Sequence, residues 1–109
     1  MFLVLWEFEV KPGCVERFES VYGPSGDWAR LFKEDPGYLG TELLRDVLRR
    51  EVFVTIDRWI SRACYEKFKS VRGDDYLAMD REFETLAAAE RELGSFEEPE
   101  CSEQQRMKT

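Results

Sequence analysis

The chain has 109 residues, of which 43% are apolar and 14% aromatic, enough for one globular domain and too apolar for a disordered segment. Sixteen basic residues against 23 acidic ones give a net charge of −7, which opposes a phosphate backbone or an anionic membrane surface, so no nucleic-acid or membrane partner is expected. Histidine is absent, which excludes Ser-His-Asp and Cys-His nucleophile systems, proximal-His haem ligation and His-rich zinc sites.

In chain order, Phe2, Val4, Trp6, Phe8 and Val10 are apolar at a period of two, with Leu3 and Leu5 apolar between them. This pattern predicts a strand buried on both faces in its first half. Lys11-Pro12-Gly13 breaks it, and Cys14, Val15, Phe18, Val21 and Tyr22 then recur at helical spacing. Gly23-Pro24-Ser25-Gly26 interrupts the helix, after which Asp27 is suited to cap a short second piece carrying Trp28, Leu31 and Phe32 on one face, ended by Asp35-Pro36-Gly37. Tyr38 to Val47 and Glu51 to Trp59 read as a hairpin around Leu48-Arg49-Arg50. In its second strand Val52, Val54 and Ile56 share one face, and Phe53, Thr55, Asp57 and Trp59 the other. Ser61 is placed to cap a helix bearing Tyr65, Phe68 and Val71 and closed by Gly73. Asp74 or Asp75 then begins a longer helix with Tyr76, Met79, Phe83, Leu86 and Leu93 as its stripe, stopped at Gly94, and Ser95 to Glu98 forms a short edge strand.

This order predicts an α+β, ferredoxin-like antiparallel sheet with helices on one face over residues 1–98, followed by a polar, flexible tail over 99–109. The helices suffice for one sheet face, yet the strands are apolar on both. A homodimer whose sheets pack through their uncovered faces, an α+β barrel, resolves the mismatch. The longest apolar run, Met1 to Trp6, is far short of the ~20 residues that span a bilayer, and no secretory pattern precedes the first strand. Three widely spaced cysteines, Cys14, Cys64 and Cys101, suit a reducing cytoplasm, the expected location.

The stretch Asp57-Arg58-Trp59-Ile60-Ser61-Arg62-Ala63-Cys64-Tyr65-Glu66-Lys67-Phe68 resembles the strand-end signature of the antibiotic biosynthesis monooxygenase-like domains, which are dimeric α+β barrels. Val10-Lys11-Pro12-Gly13, the block Gly26 to Phe32 and the block Pro36 to Arg45 agree in order, so the resemblance spans roughly residues 2 to 98. It implies one of three roles: cofactor-free oxygenation of polycyclic phenols, haem degradation, or no catalysis. Cofactor-free members deprotonate an anthrone-type substrate, let the carbanion pass an electron to oxygen, and collapse a peroxide to a quinone. By resemblance, Trp59 and Tyr65 match the Trp and Tyr placed near the substrate in those oxygenases. The Asn that family members often carry four residues before the Trp is Thr55 here, a single hydroxyl in place of an amide fork. The His expected for haem degradation is missing.

Each candidate also has a purely structural reading. Trp59 and Tyr65 are suited to core packing at a strand-to-helix junction. Asp57 becomes a base if burial raises its pKa, and otherwise pairs with Arg45 or Arg58 at the barrel rim. Trp28 and Phe32, one helical turn apart, either wall a pocket or fill the core. Arg81 either steers an anionic substrate or belongs to a solvated helix face. The expected function is a monooxygenase-like homodimer that oxidises or binds a small aromatic compound without cofactor or metal. The alternative is a non-catalytic ligand-binding or assembly module on the same barrel.

Overall fold

The computed structural model describes residues 1–99 and places the first strand, β1, at Phe2–Val10. Two short helices follow, α1 at Val15–Tyr22 and α2 at Asp27–Phe32, and they bury Phe18, Val21, Tyr22, Trp28, Leu31 and Phe32. The hairpin strands are β2, Tyr38–Arg45, and β3, Val52–Trp59. Asp46 fixes the turn between them: its Oδ1 accepts from the backbone N–H of Leu48 and of Arg49, each at 2.8 Å. Helix α3, Arg62–Val71, is capped by Ser61, whose hydroxyl accepts from Cys64 N at 3.2 Å. Helix α4, Gly73–Phe83, continues after a break at Arg72, and a single 3₁₀ turn, Glu84–Leu86, leads into β4, Ala87–Glu97.

The four strands lie in the order β2-β3-β1-β4, and every neighbouring pair is antiparallel. This is the expected ferredoxin-like α+β layer, with the helices on one sheet face. Register assigns the faces. Phe2 lies opposite Trp59, Val4 opposite Asp57, Trp6 opposite Thr55 and Phe8 opposite Phe53, so these residues point towards the helices. There Phe18 stacks on Tyr22 at 4.3 Å and meets Phe8 and Phe53, each at 5.2 Å. The other face presents Leu3, Leu5, Val54 and Ile56, with Leu44 47% exposed and Phe96 51% exposed. No helix among the described residues covers it, and none is long and apolar enough to cross a membrane.

The last third departs from the sequence reading. The helix expected to carry Leu86 and Leu93 ends at Phe83, and the edge strand begins at Ala87 rather than Ser95. Ala87 to Leu93 is rich in helix formers, but the outer edge of β1 exposes a row of backbone groups that only a strand can pair. That long-range pairing outweighs a weak local preference. Gly94 does not stop a helix; at φ +143° it sits beside a bulge where β4 shifts register against Leu5 and Trp6. Boundaries move elsewhere too: β2 stops at Arg45, Gly26 rather than Asp27 takes the cap position of α2, and Arg72 rather than Asp74 or Asp75 precedes α4. From residue 100 onwards the expected tail, with Cys101, lies outside the described residues.

Candidate functional site

Between the helices and the β1 side of the sheet lies a cleft of about 570 Å³, open mouth included. Val4, Trp6, Phe8, Thr55 and Asp57 form its floor, and Thr41 of β2 reaches it from one side. Its upper wall is aromatic: Tyr22, Trp28, Phe32, Tyr65 and Tyr76. Trp28 meets Tyr76 edge-on at 5.0 Å and Phe32 at 5.7 Å, so α1, α2, α3 and α4 each contribute at least one ring to a continuous surface. Asp80 of α4 and Glu90 of β4 complete the lining.

The most perturbed acid on the floor is Asp57. Burial pushes its carboxyl up from 3.8 to about 6, against a smaller opposite pull from the Thr41 hydroxyl, whose Oγ1 donates to Asp57 Oδ1 at 2.6 Å. The expected alternative, an ion pair with Arg45 or Arg58, is not formed: Arg58 pairs with Glu42, and Arg45 donates to the Arg50 carbonyl while lying 4.9 Å over the Phe53 ring. The Asp57 carboxyl thus has one hydroxyl partner and no cation beside it, which leaves the effect of burial largely uncompensated.

The Thr41 proton is committed to Asp57, so the Tyr38 hydroxyl, in hydrogen-bond contact with Thr41 Oγ1, donates to it. A three-member chain, Tyr38 to Thr41 to Asp57, therefore runs from β2 to the cleft floor, and burial raises the Tyr38 phenol. Neither Tyr38 nor Thr41 was indicated by sequence. Strict alternation puts them on opposite faces, because they are three residues apart. A bulge between Tyr38 and Gly40, with Gly40 at φ +147°, supplies the extra residue that turns both towards Asp57.

Of the sequence candidates, Asp57, Thr55, Trp28, Phe32 and Tyr65 all line the cleft. Burial, then the carboxylates of Glu92 and Asp57, push the Tyr65 phenol up to about 12, so it stays protonated at neutral pH. Trp59 lies one layer behind. It is 0% exposed and packs among Phe32, Tyr38, Tyr65 and Phe68 at 5.3 to 5.5 Å. Its Nε1 is buried without a partner. Arg81 is exposed on α4 and does not line the cleft. Tyr22, Tyr76 and Trp6 are legible in sequence only as stripe or core positions; what marks them as cleft residues is the gap between α4 and the sheet. Among the described residues no group of three His, Cys, Asp or Glu is placed to hold a metal ion.

A family model described as antibiotic biosynthesis monooxygenase matches residues 1–79. The fold is similar to that of SnoaB, a cofactor-independent oxygenase from Streptomyces nogalater, with a TM-score of 0.71 and 22% identity over 91% of this chain and 93% of that one. An antibiotic biosynthesis monooxygenase candidate from Deinococcus radiodurans matches with a TM-score of 0.70 and 13% identity over 92% and 94%. A Pseudomonas aeruginosa protein matches with a TM-score of 0.63 and 18% identity over 90% and 93%. No curated protein sequence matches the chain.

Proposed function

The chain belongs to the antibiotic biosynthesis monooxygenase family, and from that premise we propose that it is a homodimeric, cofactor-independent oxygenase of a small, flat phenolic compound held in the aromatic cleft. The observation that carries this reading is Asp57: a carboxyl near pKa 6 on the floor of an aromatic cleft, held by Thr41 and paired with no cation. SnoaB's cofactor-independent oxygenation lends support at the level of the fold.

In this reading Asp57 takes a proton from an acidic CH₂ that lies across the ring from a carbonyl, and its negative charge passes to the ring, so the charge in the cleft is conserved. The carbanion gives one electron to O₂, the radical pair combines into a peroxide, and loss of water leaves a carbonyl. One O₂ is consumed, one CH₂ becomes C=O and one water is released. Tyr65, neutral at working pH, donates to the ring oxygen on which charge gathers, and Thr55 offers a second hydroxyl on the same floor. Thr41 and Tyr38 hold Asp57 in place, and Asp57 hands the proton it took to the peroxide oxygen, so that water can leave and the carboxylate is restored. Trp59 acts from behind the cleft as a positioning residue, through its edge-on contact with Tyr65 at 5.5 Å.

The test is aerobic incubation of the intact protein with anthrone-type phenols in the presence of a chelator, following oxygen uptake and indole fluorescence. Uptake matched by quinone formation supports the oxygenase; quenching without uptake leaves a binding module on the same barrel. Two substitutions sharpen it. Tyr65→Phe keeps the ring packing and removes one donor, so stability is expected to change by no more than ~1.5 kcal/mol. Turnover or affinity should fall at least about tenfold. Trp59→Phe opens a small void but also removes an indole N–H that is buried without a partner, so the two effects oppose and the net loss stays below ~2 kcal/mol in a chemical-denaturation series. A Tyr65→Phe protein with unchanged rate and affinity would make that hydroxyl a bystander.

A further inference from the structure

We infer that the cleft selects aromatic ligands bearing a positive charge near its mouth and rejects anionic ones. This rests on the cleft being the ligand site proposed above, and it names the substrate class more narrowly: a flat ring with an acidic position at one end and a protonated amine at the other.

The charges are one-sided. The ionisable residues that line the cleft, apart from tyrosines, are Asp57, Asp80 and Glu90, and no Lys or Arg lines it. Neither Asp80 nor Glu90 forms an ion pair among the described residues. Partial burial and then the charges of Asp80 and Glu84 raise the Glu90 carboxyl, so the charged forms of these acids repel one another. Of the nearby cations, Arg91 reaches Glu7 at 3.0 Å and Arg17 lies 5.3 Å over the Phe83 ring; Lys69 does not line the cleft, but its ammonium lies 4.7 Å over Tyr76 and 5.5 Å over Tyr65, two rings of the cleft wall.

The walls add a second, independent preference. Tyr22, Trp28 and Tyr76 line the space, and rings combined with carboxylates are the surroundings that stabilise a partly desolvated ammonium group. Trp28 is 8% exposed and its Nε1 is left without a partner, close enough to Tyr22 to oppose slightly the rise of that phenol yet outside hydrogen-bond geometry. That N–H leans towards the Tyr22 hydroxyl and says nothing of a ligand's charge, so the preference rests on the carboxylates and the rings. An anionic ligand would meet three carboxyl groups on the lining against one nearby ammonium among the described residues, Lys69, which already lies on the Tyr65 and Tyr76 rings. Arg81, the residue whose type suggested anion steering, lies outside the lining.

The test uses three probes of one ring system on the intact protein: aminomethyl-anthracene, its neutral hydroxymethyl counterpart and anthracene carboxylate, each titrated by fluorescence near neutral pH. At low salt the amine should bind at least about tenfold more tightly than the carboxylate, with the alcohol between them. High salt should shrink the gap. Glu90→Gln combined with Asp80→Asn should reduce the gap to less than about threefold, with amine and carboxylate each compared with the alcohol on the same variant. If the alcohol binds and the carboxylate matches or exceeds the amine, the charge preference is wrong and the ligand site stands. Should none of the three bind, the cleft is not an aromatic site, and the proposed function falls with this inference.

Discussion

Asp57→Asn is expected to give a protein that is more stable at neutral pH and almost inactive. The stability change follows from linkage. A carboxyl raised from 3.8 to about 6 on folding keeps its proton in the native state over a range where the unfolded chain has released it. Stability therefore falls as pH rises from about 3.8 to about 6 and stays lower above that range, by ~3 kcal/mol at 1.36 kcal/mol per pH unit. Asn keeps the size of the side chain and an oxygen to accept from Thr41, and it carries no charge to desolvate. Denaturation at fixed protein concentration should show the variant gaining up to ~3 kcal/mol, or on the order of 10 °C in Tm, at neutral pH. Below pH 4 the two proteins should converge. Loss of the base should lower the rate by about 10² to 10⁴. A variant that is less stable at neutral pH would mean that the carboxylate is satisfied by its surroundings rather than strained by them.

Val54→Glu is expected to convert a dimer into a monomer. Val54 lies on the sheet face away from the helices, beside Ile56 and opposite Leu44, and a two-fold interface doubles the effect of every substitution. An unpaired carboxylate buried there costs several kcal/mol per copy. Light scattering at micromolar concentration should give twice 12.9 kDa for the wild type and 12.9 kDa for the variant. The core on the helix side should persist, because Phe53, Thr55 and Asp57 point the other way. Near-ultraviolet circular dichroism of the buried aromatics reports on that core. A wild-type protein that is monomeric at micromolar concentration would contradict the barrel, and Leu44, Ile56 and Phe96 would need another cover.

What the sequence reveals and what it conceals have physical causes. Period-two runs in Phe2–Val10 and Val52–Trp59, the glycine and proline breaks after Val10, Tyr22 and Phe32, and the Ser61 cap are local signals that match the fold, whereas Gly73, expected to close α3, opens α4, and Gly94 lies within β4. The segment Ala87–Leu93 misleads because its partner, the open edge of β1, is about eighty residues away in sequence. In the site, parity alone places Thr55, Asp57 and Trp59 on the helix-facing side, and helical spacing brings Trp28 and Phe32 to the cleft. Parity cannot say which of these residues face open space and which face another ring. That depends on tertiary packing: rings from α2, β2 and α3 close over Trp59, whereas Tyr76 of α4 lines the cleft. The Tyr38 and Thr41 relay was hidden because a bulge suspends the alternation on which such readings depend.

In the proposed reaction Asp57, held by Thr41 on the floor of the aromatic cleft, is the base that starts oxygen consumption. The initial rate of oxygen uptake with an anthrone-type phenol, measured against pH for the wild type and Asp57→Asn with a chelator present, tests it most directly. The wild-type rate should rise through a single protonation step near pH 6 and level off, as the carboxylate becomes available to take a proton. The variant should show no such step and a rate lower by about 10² or more. A wild-type rate that is flat across that range, or an Asp57→Asn rate equal to the wild type's, would contradict the claim.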